Sequence, residues 1–274
     1  MKFQFTKKEE ELLIIFLLLY QYKNRALGFF KNCYHPIVLK TLRESKTIDV
    51  PKELIKPLKN YHPCYFATWF YGGEDYILTK YQTQLLKKLV KKENLYDLMK
   101  ISEKGLKKII SKEEKKWKNG LTILKSAIKK LPFSQPVKLI LNLFDGFGTG
   151  YGIKSKREGG FIIVGPHRDP LSDQTILHEY MHIIFNDWFR SNRGKKNISL
   201  ILKGPLKNKW QIAKRPWYQK KETIAEEYFL RTLTLRFLPE NLKSAFIKEQ
   251  NNQGFKDINK LSKCLLKSGF YEGV

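Results

Sequence analysis

The chain has 274 residues, 42% of them hydrophobic and 14% aromatic, enough to bury the core of one large domain or two small ones and too apolar for an intrinsically disordered chain. Its 52 Lys and Arg against 26 Asp and Glu give a formal charge of +26, a balance that suits nucleic acid, an anionic membrane or an acidic substrate. The lysines are nonetheless scattered from Lys7 to Lys267, in short clusters such as Lys87-Lys88, Lys91-Lys92 and Lys129-Lys130. No Arg-rich arm, zinc-finger spacing or aromatic ribonucleoprotein signature accompanies them, so the expectation is solvated helix faces with weak, non-specific polyanion binding.

The apolar run from Leu12 to Tyr20 is too short to span a bilayer. Glu9-Glu10-Glu11 precede it and no small-residue cleavage site follows, so it reads as part of a buried amphipathic helix over Lys7 to Asn24. Cys33, Cys64 and Cys264 are odd in number and far apart, with no CxxC pair. They suggest a reducing compartment, hence a cytoplasmic protein without a transmembrane segment. Pro51, Pro57 and Pro63 mark a break in regular structure, and more helix follows from about Leu78 to Lys130. Within it Leu121, Leu124, Ile128 and Leu131 recur at helical steps and predict one buried face.

The pattern changes at Pro136. Val137 to Phe144 reads as a strand, and so does Gly160 to Val164. The glycines of Gly146 to Gly152 between them lack a Walker Lys-Ser pair, so they read as a flexible turn between antiparallel strands. A helix capped by Ser172 or Asp173 runs to Phe189 and ends at Ser191-Asn192-Arg193-Gly194. A basic connection through Pro205 and Pro216 leads to a helix from about Lys221 to Leu238, closed by Pro239. Further helix is expected around 242–249 and 258–266. There is no internal repeat. The expected fold is α+β: predominantly helical, with a small antiparallel sheet beside the helix that carries the motif below. Residues 1–136 form a helical region of unassigned role and 137–274 the region of the motif.

His178-Glu179-Tyr180-Met181-His182 is an HExxH motif. Residues four apart share a helical face, so both imidazoles can reach one ion. Glu179 is rotated away from the line joining them, yet close enough to hold a water on that ion. Zinc lowers the pKa of such a water towards neutrality, and a carboxylate can take its proton as it attacks a carbonyl. The alternative for the two histidines is a pair of core side chains, which would need buried partners.

A catalytic zinc usually takes three protein ligands and leaves a position for water. Phe185 and Trp188 occupy the stretch where a HExxHxxGxxH extension would lie, so the third ligand must come from elsewhere. The helix from Glu222 to Arg236 offers three carboxylates. Glu227 shares a face with Ile224, Tyr228, Arg231 and Leu235, with Arg231 one turn on to orient it. Glu222 stands in a Glu-x-x-Ala-Glu arrangement with Glu226 as companion, and Glu226 is the third choice. Each can equally be a surface carboxylate balancing lysines. His167, Tyr151, Tyr218 and Arg231 have suitable donors for a transition-state stabiliser, and none is singled out.

The strand, strand, HExxH helix and later glutamate helix resemble the gluzincin group of zinc metallopeptidases. The stretches Phe161-Ile-Ile-Val-Gly-Pro, Leu177-His-Glu-Tyr-Met-His and Glu227-Tyr-Phe-Leu-Arg-Thr-Leu also resemble an uncharacterised prokaryotic HExxH domain family. The likeness covers roughly residues 137–238 and does not reach the N-terminal half. It implies a zincin-like fold, one Zn2+ per chain on His178, His182 and Glu227, Glu179 as general base, and hydrolysis of peptide bonds in a peptide or protein substrate. It further implies that Gly160 to Val164 is an edge strand on which substrate backbone lies. Two other readings stand beside it: a basic binding or regulatory protein on a metalloprotease-like domain without turnover, and a purely structural zinc.

Overall fold

A computed structural model of the chain describes residues 35–60, 78–93, 103–131, 134–143, 145–146, 148–155, 159–204 and 220–267, together with 3–4, 18, 66 and 71. The expectations for the helix over Lys7 to Asn24 (apart from a helical, buried Leu18), for Pro63, Cys33 and Cys64, for the side chain of Cys264, and for Pro205, Pro216 and Tyr218 lie outside the described residues. The chain divides into two units, each made of two stretches: residues 1–118 with 137–168, and 119–136 with 169–274. The sequence suggested instead a single cut at residue 136.

The first unit contains β1 (Phe3–Gln4), helices α1 (Pro36–Glu44), α2 (Lys52–Asn60), α3 (Lys80–Lys92) and α4 (Glu103–Lys116), and strands β2 (Val137–Leu141), β3 (Gly150–Ser155) and β4 (Gly159–Val164). Proline does not break α2, which runs through Pro57. Proline has no N–H for the carbonyl one turn back, and here Gln82 Nε2 donates to that carbonyl, Glu53 O, at 3.0 Å. Gln82 also closes a capping box with Thr79 at the start of α3.

The sheet has the order β1-β2-β4-β3. β1–β2 and β2–β4 are parallel and only β3–β4 is antiparallel, so the sheet is mixed rather than antiparallel. β4 is therefore an interior strand and not the edge expected of it. Its burial from Gly160 to Val164 fits: a strand covered on both faces carries a continuous apolar run. The expected turn is also revised. Gly150 to Gly152 belong to β3, with Tyr151 opposite Ile163 and Ile153 opposite Phe161. These residues share a core face with Ile140 and Tyr71. The glycines before them are tied down: Gly148 N–H donates to Pro166 O at 2.8 Å and Gly165 N–H to Thr149 O at 2.9 Å. A Cβ on Gly165 would lie 2.0 Å from Gly146 O, so only glycine allows this approach.

The second unit holds most of α5 (Lys118–Ile128), then α6 (Asp173–Arg190), α7 (Asn192–Lys203), α8 (Lys221–Phe237), α9 (Glu240–Asn252) and α10 (Ile258–Lys267). The buried face of α5 is Gly120, Ile123, Leu124 and Ala127; Leu121, Ile128 and Leu131 are only partly buried. Neither Ser172 nor Asp173 caps α6. Asp169 caps the 3-10 turn that leads into it, and the Asp173 carboxylate accepts the Gly120 N–H at 3.1 Å. Ser191 both ends α6 and caps α7, its Oγ accepting the Gly194 N–H at 3.0 Å. The polar Ser191 to Gly194 stretch thus opens a further helix instead of a loop. Among the described residues no helix is long and apolar enough to cross a membrane.

Candidate metal centre

α6 packs against α8 within the second unit, and aromatic rings fix the contact. Trp188 of α6 stacks on Phe229 of α8, centroids 5.1 Å apart and planes at 13°, while Phe185 and Phe189 meet the same ring edge-on at 5.5 Å. Such pairs contribute about 0.5–1.5 kcal/mol each beyond the area they bury. Phe185 lies three residues after His182, and Phe229 two after Glu227. This clamp therefore sets the registry between the motif and the later carboxylate.

On α6 the rings of His178 and His182 lie one turn apart, 4.9 Å between centroids and nearly perpendicular. Glu227 reaches both: Oε2 is 3.5 Å from His178 Nε2 and Oε1 3.2 Å from His182 Nε2. Arg231, one turn further along α8, places Nη2 3.1 Å from Glu227 Oε2. Its guanidinium also sits over Phe255, 4.1 Å from the ring centroid. His178, Glu179, Glu227 and Arg231 are buried, whereas the His182 side chain keeps 30% exposure, so the site has one open side.

Burial works against the charge of Glu227, but the Arg231 guanidinium and His182 hold its carboxyl well below the usual range. Burial pulls His178 down to about 4, against the pull of the Glu227 carboxylate and with the help of Arg231 and His182. His182 is also pushed down by burial, yet the Glu227 carboxylate and, further off, Glu179 leave it raised overall. The centre is thus an ionised carboxylate facing two imidazoles with different proton affinities.

No protein-family model, curated protein or solved structure matches the chain.

The donor set itself can be tested for a metal. His178, His182 and Glu227 each offer one ligand atom, all within 4.8 Å of one another. A tetrahedral ion with bonds of about 2.0–2.1 Å spaces its ligand atoms about 3.3–3.4 Å apart, and each imidazole Nε2 lies near that distance from one oxygen of the Glu227 carboxylate, His178 at 3.5 Å from Oε2 and His182 at 3.2 Å from Oε1. Glu227 Oε2 is buried beside Arg231 Nη2 at 3.1 Å, so the carboxylate is held charged toward the two imidazoles, the state in which it can ligate a cation. Two imidazoles and a carboxylate are a known catalytic zinc set. The residues fit the ion.

Glu222 is exposed in the first turn of α8, and Glu226 is half-buried with its carboxyl raised, chiefly by burial. Neither belongs to the group formed by the two imidazoles and Glu227. Of the other donors, Arg231 is at the centre. His167 belongs to the first unit, where its ring meets Trp117 and its backbone N–H donates to Glu113 at 3.3 Å. Tyr151 packs on the sheet core. One residue escaped the sequence reading: Thr234, fully buried on α8, with Oγ1 3.3 Å from His178 Nδ1. Its signal was present as a polar stripe of Glu227, Arg231 and Thr234, at i, i+4 and i+7 among the mostly apolar buried positions of the helix.

Proposed function

We propose that the chain is a zinc-dependent metallopeptidase of the gluzincin type, acting in the cytoplasm on a peptide or protein substrate. The observation that carries this reading is the approach of the Glu227 carboxylate to both Nε2 atoms of the HExxH helix, at 3.5 and 3.2 Å. His178, His182 and Glu227 would hold the ion, and the partly exposed side at His182 gives it access to solvent and substrate. A zinc ion there supplies a Lewis acid that polarises the scissile carbonyl and acidifies water. Glu179 follows His178 on α6, and its charge is felt at His182. In this role Glu179 accepts the proton of the water whose oxygen bonds to the carbonyl carbon, then gives it to the leaving amine nitrogen as the C–N bond breaks. Arg231 keeps Glu227 ionised and aimed, so that its carboxylate is ready to bind a cation.

The test combines metal titration with digestion. Metal-free protein should take up one equivalent of zinc, and His178→Ala should not. A peptide library should be cut by the zinc-loaded parent and left intact by Glu179→Gln, which retains the ion. A parent without stoichiometric zinc binding ends the proposal. A zinc-binding parent that cuts nothing, yet binds nucleic acid or acidic protein in a salt-sensitive way that Glu179→Gln does not alter, would favour the basic binding protein instead.

A further inference from the structure

We propose that Thr234 is a positioning residue that fixes the ring tautomer of His178, keeping the proton on Nδ1 and the Nε2 lone pair directed at the metal position. The inference deepens the zinc reading and rests on it for its functional meaning. A threonine hydroxyl has one proton to give. Thr234 Oγ1 lies 2.9 Å from Leu230 O and donates to it, since a carbonyl can only accept. The same oxygen lies 3.3 Å from His178 Nδ1. With its proton committed to Leu230, Oγ1 faces the imidazole with a lone pair, and the contact is a hydrogen bond only if Nδ1 carries the hydrogen. The ring nitrogen that binds a metal is set by the hydrogen bond the other nitrogen makes.

A further observation agrees. Thr234 is fully buried, so no bulk water competes for its hydroxyl. The arrangement also ties the ligand pair together: α8 supplies both the carboxylate and, two turns on, the group that orients the opposing imidazole.

Nitrogen-15 labelling of the five histidines allows the ring of His178 to be read directly by NMR in the metal-free protein. The expected result is a proton on Nδ1 in the parent and in Thr234→Ser, and its loss to Nε2 or to a mixture in the nearly isosteric Thr234→Val. Zinc affinity should fall about 10–100-fold in Thr234→Val, the usual loss when such a partner is removed, and stay near parental in Thr234→Ser. A proton on Nε2 in the metal-free parent overturns the proposal, whatever the variants do. So does a Thr234→Val protein with parental zinc affinity, or a Thr234→Ser protein as weak as Thr234→Val. Because the ring proton is read without metal, a parent that fails to bind zinc refutes the enzyme reading and leaves the tautomer assignment to stand or fall alone.

Discussion

Glu227 is the residue on which charge, burial and geometry converge. Glu227→Gln keeps its shape but leaves the Arg231 guanidinium buried without its counter-charge. Removing one member of such a pair typically lowers stability by about 3–5 kcal/mol, so chemical unfolding should show a loss of that order together with weaker zinc binding. Glu222→Gln, an exposed change in the first turn of α8, should alter stability by less than about 1 kcal/mol and leave zinc binding intact. Equal effects of the two changes would refute the ligand assignment. Asp145, near the glycine-rich segment, makes a separate prediction. Burial raises its carboxyl, against hydrogen bonds from Tyr151, the Gly146 N–H and Thr149. The folded state therefore holds the proton to higher pH than the unfolded chain does, and the contribution of Asp145 to stability falls as pH rises through and above the ordinary carboxylate range. Asp145→Asn should flatten that part of the pH–stability curve and melt higher than the parent at neutral pH; an unchanged pH slope counts against it. Among these residues the HExxH pair was legible in the sequence because its spacing is local to one helix. The choice among Glu222, Glu226 and Glu227 was not, since it depends on how α8 is turned against α6.

That turn is decided by elements. The Trp188–Phe229 stack and the shared Ser191 corner hold α6, α7 and α8 in register, and Gly194 lets the corner close. A Cβ there would stand 1.9 Å from Trp188 O, and a backbone oxygen of α6 cannot give way without moving Trp188. Overpacking of this kind costs about 1–3 kcal/mol, so Gly194→Ala should shift the urea midpoint down by that amount and loosen zinc binding through the displaced Trp188. A variant with parental stability would show that the corner has slack. Element identity was readable for the long periodic helices: the helix read over Lys221 to Leu238 is α8, Lys221–Phe237. It failed where a local signal had a distant answer. Pro57 reads as a breaker, but Gln82 from the next helix satisfies the freed carbonyl. Gly194 in a basic stretch reads as a loop, but it is a packing requirement. The strands at Val137 and Gly160 were visible as apolar runs, whereas their parallel pairing, with β3 inserted in sequence between them, depends on contacts no local window contains.

For the molecule as a whole, the proposed zinc would link site to stability. An ion that binds only the native state adds about 2.7 kcal/mol at a free concentration one hundred times Kd. Calorimetry should therefore show a higher Tm with zinc than with chelator, and His178→Ala should abolish the difference. An identical Tm in both conditions would mean that the folded chain has no zinc site. The formal charge of +26 adds a diffuse self-repulsion that moderate salt relieves, so the comparison belongs at constant ionic strength. Phe255, in the turn between α9 and α10, carries this link beyond the ligands. Its ring supports the face of the Arg231 guanidinium, and Arg231 in turn holds Glu227 charged. A hydrocarbon ring outside the proposed ligand set would therefore act as a remote control on metal affinity. Phe255→Leu should detune it at roughly the strength of one cation–π contact, about 0.5–2 kcal/mol, with every ligand still in place.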